Sequence, residues 1–146
     1  MKRLLASAVC FSLSLALTAA VKGAVESFGS GSLCGGRRFE PGRTLPLVRG
    51  TSLDLVVTGF GVDNADRVEA VSLPGVSVHL AGRRSFPVPQ LTLALKIDAK
   101  APVGKGEFRL RYPVEVAGYD RILVQVLTPA SAPCPTPSPS PTAPRR

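Results

Sequence analysis

From Thr51 to Leu127 the chain keeps returning to a period of two. Leu53, Leu55 and Val57 alternate with Ser52, Asp54 and Thr58, which predicts a strand with one buried face and one wetter face. Thr58 to Val68 then holds the Gly, Asn and Asp residues of a chain reversal, and Arg67 to Leu73 predicts the next strand. Pro74-Gly75 is a strong turn dipeptide. Beyond it Val76, Val78 and Leu80 alternate with Ser77 and His79, so the strands on either side of that turn are expected to pair as a hairpin. Gly82-Arg83-Arg84 closes this strand, and Pro87 and Pro89 bracket a short connection. Leu91, Leu93, Leu95 and Ile97, opposed by Gln90, Thr92, Ala94 and Lys96, form the longest regular alternation in the chain. That strand is expected at the centre of the core.

Shorter elements flank this series. Thr44 to Val48 predicts a strand at an edge or bulge, because Pro46 cannot donate to a ladder. Ala99 to Gly106 contains Pro102, Gly104 and Gly106 and reads as a loop. Phe108, Leu110 and Tyr112 alternate with Glu107, Arg109 and Arg111, giving a strand with a charged outer face that Pro113 limits. Val114 and Val116 continue it past a bulge in the same reading, and Gly118 turns the chain. In Arg121 to Leu127, Ile122, Val124 and Val126 share one face and Leu123 and Leu127 the other, which predicts at least partial cover on both sides. Short strands with turns every ten or so residues, and no helical periodicity, specify an all-β sandwich of about seven strands.

The run from Gly50 through Leu53-Asp-Leu-Val-Val-Thr-Gly-Phe-Gly61, followed by Ala65-Asp-Arg-Val68, resembles the opening of bacterial immunoglobulin-like domains of the IPT/TIG type. Leu91 to Gly104, followed by Glu107-Phe-Arg-Leu-Arg-Tyr-Pro113, is similar to their second half, where a strand passes through an Ala/Pro/Gly loop into a strand ending in proline. The resemblance spans Pro41 to Thr128. Two departures stand out: Val114-Glu-Val-Ala-Gly118 replaces the Gly-Gly turn that commonly follows that proline, and the lead-in with Cys34 has no counterpart. The resemblance implies an immunoglobulin-like β-sandwich that serves as a recognition or spacer module, and it carries over no catalytic residues.

The ends of the chain differ from its centre. Lys2 and Arg3 precede an apolar stretch, Leu4 to Leu17, and small residues end at Ala20, the layout of an export signal over residues 1–20. An uncleaved anchor is the competing reading; the stretch is shorter than the ~20 residues a span needs. Residues 21–42 read as an irregular, Gly-rich lead-in that offers a core little beyond Leu33 and Phe39. Residues 43–128 form the sandwich. Seven of the 14 prolines fall in residues 129–146, so that tail favours extended polyproline geometry or disorder over any packed structure.

Cleavage after Ala20 changes the arithmetic. Loss of Lys2 and Arg3 lowers the 18 Lys plus Arg to 16, against 10 acidic residues, a net charge of +6. The three cysteines fall to two, Cys34 and Cys134, an even number in a secreted or periplasmic setting that permits a disulfide; two free or intermolecular thiols are the alternative.

Candidate chemistry is sparse. His79, the single histidine, occupies a polar strand position without an evident partner for base catalysis, and one His with two distant Cys lacks zinc-ligand spacing. Asp63, Asn64 and Asp66 lack the later Gly and Glu of a calcium loop and read as a turn. Arg37, Arg38 and Arg43 form a small cluster, and Arg83, Arg84, Arg109 and Arg111 are the candidate anion-contacting residues, with Asp98, Glu107, Glu115 and Asp120 interspersed. No catalytic, cofactor or metal site follows. The expectation is an exported, non-catalytic immunoglobulin-like domain acting as a binding or structural accessory module at the cell envelope, with another exported protein or a polysaccharide as partner rather than nucleic acid. A basic polyanion- or polysaccharide-binding protein and an enzyme inhibitor are the alternatives.

Overall fold

The computed structural model describes residues 24–113, 120–131 and 134, and among them the chain is all-β. Its strands are β1 (Ser27–Gly29), β2 (Arg38–Phe39), β3 (Leu45–Val48), β4 (Ser52–Thr58), β5 (Arg67–Val71), β6 (Val76–Arg84), β7 (Gln90–Ile97), β8 (Gly104–Arg111) and β9 (Asp120–Leu127). They form two sheets, one in the order β2-β1-β4-β7-β6 and one in the order β3-β9-β8-β5. All pairings are antiparallel except β3 with β9. The export-signal reading, the proline tail beyond residue 134, and the continuation through Val114 and Val116 lie outside the described residues.

The core follows from the alternation. Leu55 and Val57 of β4, Leu91, Leu93, Leu95 and Ile97 of β7, Phe108 and Leu110 of β8, and Ile122, Val124 and Val126 of β9 are buried between the sheets. Leu91, Leu93, Leu95 and Ile97 occupy the strand between β4 and β6, as the longest alternation predicts. Leu45 and Leu47 of β3 bury their side chains against the core while Pro46 sits between them on an edge strand. An edge tolerates proline because only one side of the strand needs its donors.

Three expectations are corrected. Among the described residues the strand count is nine rather than seven, because the lead-in expected to be irregular supplies β1 and β2, which bury Phe28 and Phe39. Phe39 reaches the core as its sequence position allows, and Leu33 packs against it; Phe28 is the residue the pattern misses, because its strand is too short to show a period. The expected hairpin across Pro74-Gly75 does not form: β5 pairs with β8 and β6 with β7, in different sheets. Val76 N–H donates to Leu73 O at 3.2 Å and Asp98 N–H to Gly75 O at 2.9 Å, so the turn is real and carries the chain across the sandwich. Alternation records which face is buried but not which neighbour is bonded. The loop expected through Gly106 ends sooner, since β8 begins at Gly104. There Gly106 lies where a Cβ would come within 2.5 Å of Leu73 Cγ and of Val71 O, so glycine permits close approach and does not mark a turn. On the outer face of β9, Leu123 is exposed while Gln125 and Leu127 are partly buried, so that face is covered in part, as its pattern predicts.

Candidate functional site

The pairing register brings several connections to one end of the sandwich. Thr58 faces Gln90, Gln90 faces Arg84, Arg67 faces Arg111 and Leu110 faces Asp120. The β4–β5 connection, the β6–β7 connection and the start of the β8–β9 connection therefore leave the same end. Cross-bonds brace them. Gly59 N–H donates to Pro89 O at 3.3 Å, and Asp66 N–H to Arg111 O at 2.9 Å. Ser85 Oγ donates to Asp63 Oδ2 at 2.6 Å, and Arg83 Nη1 to Asp63 O at 3.3 Å. A 3-10 turn at Val62–Asn64 anchors the β4–β5 connection by burying Val62, followed by buried Ala65. Asp63 thus serves as a brace between two loops. Among the described residues, no group of three or more His, Cys, Asp or Glu could hold a metal ion.

This end presents apolar side chains to solvent. Phe60 is 62% exposed, Phe86 83% and Val88 45%. Phe60 is held from behind, since Ala24 N–H donates to its carbonyl at 2.7 Å. The peptide bond between Phe86 and Pro87 is cis. Isolated exposed apolar residues are ordinary, but here two phenylalanines and a valine stand on neighbouring loops that are tied to one another. A signal for them exists in the sequence, namely large apolar residues at turn positions flanked by glycine or proline, and the period-two reading passes over it.

At the base of the same end, the Tyr112 hydroxyl donates to Asp120 Oδ2 at 2.7 Å. Burial pushes the Tyr112 phenol well above its ordinary value, and the hydrogen bond to Asp120 and the negative charges of Asp120 and Asp63 push in the same direction. The pair closes β8 onto β9 where the two strands part.

The four candidate anion-contacting arginines do not converge. Arg83 and Arg84 are consecutive in β6 and so point to opposite faces: Arg83 reaches Asp63 O, whereas Arg84 Nη2 donates to Gln90 Oε1 at 2.8 Å. Arg109 and Arg111 lie on the other sheet, on the outer face of β8. Arg111 pairs with Glu69 at 3.1 Å, Arg109 with Glu107, and Arg121 also reaches Glu107 at 3.7 Å. The outer face of this sheet is a lattice of alternating sign rather than a uniform basic patch. In the lead-in cluster Arg38 is a clamp, its Nη2 donating to Ser27 Oγ and Thr58 Oγ1, each at 2.8 Å. His79 is exposed on β6, across from Ala94.

Cys34 and Cys134 form a disulfide, with Cα atoms 5.3 Å apart and a sequence separation of 100. Cys34 opens a 3-10 turn between β1 and β2, so the bridge ties that short strand pair to the segment after β9. Among the described residues no helix is long and apolar enough to cross a membrane. No protein-family model matches the chain, and a search of curated proteins finds no match either.

Proposed function

We propose that the chain is an exported, non-catalytic immunoglobulin-like domain of the IPT/TIG type that acts as a binding or structural accessory module at the cell envelope. The strand order supports the immunoglobulin-like reading. β1-β4-β7-β6 opposite β9-β8-β5 follows the ABED and GFC order of constant-type immunoglobulin sandwiches, letter for letter in chain sequence. The export reading draws on the basic and apolar N-terminal stretch and on the disulfide, which belongs to an oxidising compartment.

The observation that carries the binding role is the pair of exposed phenylalanines, Phe60 and Phe86, on loops braced by the Asp63–Ser85 and Gly59–Pro89 hydrogen bonds. A rigid sandwich that displays aromatic side chains on pre-ordered loops has met part of the ordering cost of association, and aromatic anchors dominate protein interfaces. The partner that fits is another exported protein with an apolar pocket. A photo-crosslinking amino acid placed at position 60 or 86 of the exported protein in its native cells tests this, with position 96 as control. A discrete protein adduct from 60 and 86 that is absent from 96 is the expected result; no adduct, or the same smear from all three positions, overturns the reading.

A further inference from the structure

Among the described residues each sheet ends in two edge strands, and three of these four edges carry a device against further pairing. β2 is two residues long and bears Arg38, β3 contains Pro46, and β5 alternates Arg67 and Glu69 along its length. Short edges, prolines and charges are the usual means of blunting a strand edge. β6 has none of them over Val76-Ser-Val-His-Leu80. It is the longest strand among the described residues, at 9 residues, and its regular pairing with β7 runs from Val76 to Leu80 before a bulge between Leu80 and Gly82.

The backbone direction along that segment follows from the neighbouring ladder. Ile97 N–H donates to Thr51 O at 2.8 Å, and Ile97 O accepts from Gly50 N–H at 3.0 Å, so Ile97 directs both groups to the β4 side. By alternation Leu95 and Leu93 do the same, while Lys96 and Ala94 direct theirs to β6. Ser77 and His79, opposite Lys96 and Ala94, therefore spend their backbone groups on β7. Val78 and Leu80 turn theirs outward, with no strand beyond them among the described residues. Unpaired outward N–H and C=O groups are a template for another strand.

We infer that β6 is a self-pairing edge and that the partner is a second copy of this chain, joined antiparallel about a two-fold axis through Val78. In that register Val78 meets Val78 of the other copy and the two exchange a pair of hydrogen bonds. Leu80 N–H donates to the carbonyl of the opposing Val76, and Ser77 stands across from His79. The segment reads nearly the same in both directions, apolar at 76, 78 and 80 and small or polar at 77 and 79, so one face of the joint stays apolar and the other polar. No like charges oppose each other. Arg83 and Arg84 fall opposite Leu73 and Ser72 of the other copy, beyond the start of its β6. The bulge limits the joint to the five residues that carry this symmetry, which is the self-complementarity an isologous interface requires. The result is one ten-stranded sheet across both copies, with the loops bearing Phe60 and Phe86 left outside the joint.

Two measurements on the full exported chain, with its native disulfide intact, test the inference. Sedimentation equilibrium should show a concentration-dependent dimer, weakened at least about tenfold by Val78→Pro, which removes the two central donors. The circular dichroism of that variant should stay unchanged, because the Val78 N–H takes no part in the β6–β7 ladder. Separately, Ser77→Cys and His79→Cys chains should form a covalent dimer only when mixed, since non-hydrogen-bonded pairs bring Cα atoms within about 4.5 Å, inside disulfide range. A wild-type monomer at all concentrations, a dimer that survives Val78→Pro, or cross-linking of either cysteine variant alone overturns the proposal; a monomer that pairs with an extended peptide of another protein would assign the edge to that partner instead.

Discussion

Phe28 and Phe39 stack with ring centroids 5.8 Å apart and ring planes 8° from parallel, and they face each other across the β1–β2 pair. Both rings are buried in the common core. The N-terminal strand pair is therefore held by an aromatic contact and not only by its few ladder bonds. Phe28→Ala is expected to cost about 3–5 kcal/mol, the usual loss for a buried phenylalanine. A double-mutant cycle with Phe39→Ala should return a coupling of about 0.5–1.5 kcal/mol, read from urea denaturation midpoints at constant slope. Strictly additive losses would mean the stacking contributes nothing beyond burial.

The Cys34–Cys134 bridge closes a loop with a sequence separation of 100. For a loop of that size the chain-entropy relation assigns about 4.7 kcal/mol as an upper figure, and removal of a native bridge from a small domain typically costs about 2–5 kcal/mol. A Cys34→Ser/Cys134→Ser chain should lose stability in that range. Amide exchange should accelerate first at Ser27–Gly29, one of the two strands that flank Cys34, while Leu91–Ile97 stays protected to the global limit. Uniform acceleration across both strands would argue that the bridge acts on the unfolded chain alone.

Gly59 and Gly106 sit at close backbone approaches. A Cβ on Gly59 would fall 1.9 Å from Ala24 O, at a φ of +154°, and one on Gly106 would fall 2.5 Å from Val71 O. Gly59→Ala and Gly106→Ala should each destabilise by about 1–3 kcal/mol, as overpacking against fixed backbone does. Gly104, two residues from Gly106 on the same strand, has nothing within 4 Å of such a Cβ. Gly104→Ala should change stability by no more than about 0.5 kcal/mol, and thermal melts of the three variants give the comparison directly.

Tyr112 links stability to alkaline pH. Its phenol is held above the ordinary value by burial first and then by Asp120. Unfolded, the group ionises near pH 10, and the folded chain retains the proton to higher pH. Above that point the unfolded state binds fewer protons, so stability falls as pH rises; the contribution is complete below about pH 10 and is lost progressively above it. The melting temperature of the wild type should therefore drop more steeply between pH 10 and 12 than that of Tyr112→Phe, with about 1 kcal/mol separating the two at neutral pH from the lost hydrogen bond. Parallel curves would show that the Tyr112–Asp120 bond is open in solution.

The candidate surface was legible only in part. Arg83, Arg84, Arg109 and Arg111 stand out in the sequence by charge, yet the fold separates them onto two sheets and sets Glu69 and Glu107 among the last two. Asp63 reads as a turn residue, and it is one, but its second role as the tie between two loops depends on Ser85. No local pattern relates residues so far apart. Phe60 and Phe86 are ordinary apolar letters until the register shows that their loops leave the same end.

Alternation in Leu53–Val57, Leu91–Ile97, Phe108–Tyr112 and Ile122–Val126 is enough to specify an all-β chain and to name most of its core, because a side chain's face along a strand is a local property with a period of two. The cysteine count was enough to suggest the bridge. Which strands are neighbours is not local. The passage of Pro74-Gly75 from one sheet to the other, the parallel seating of β3 beside β9, and the recruitment of Phe28 into the core all depend on contacts between distant segments, and hydrogen-bond partners and burial at that range are set only when the two sheets close on each other.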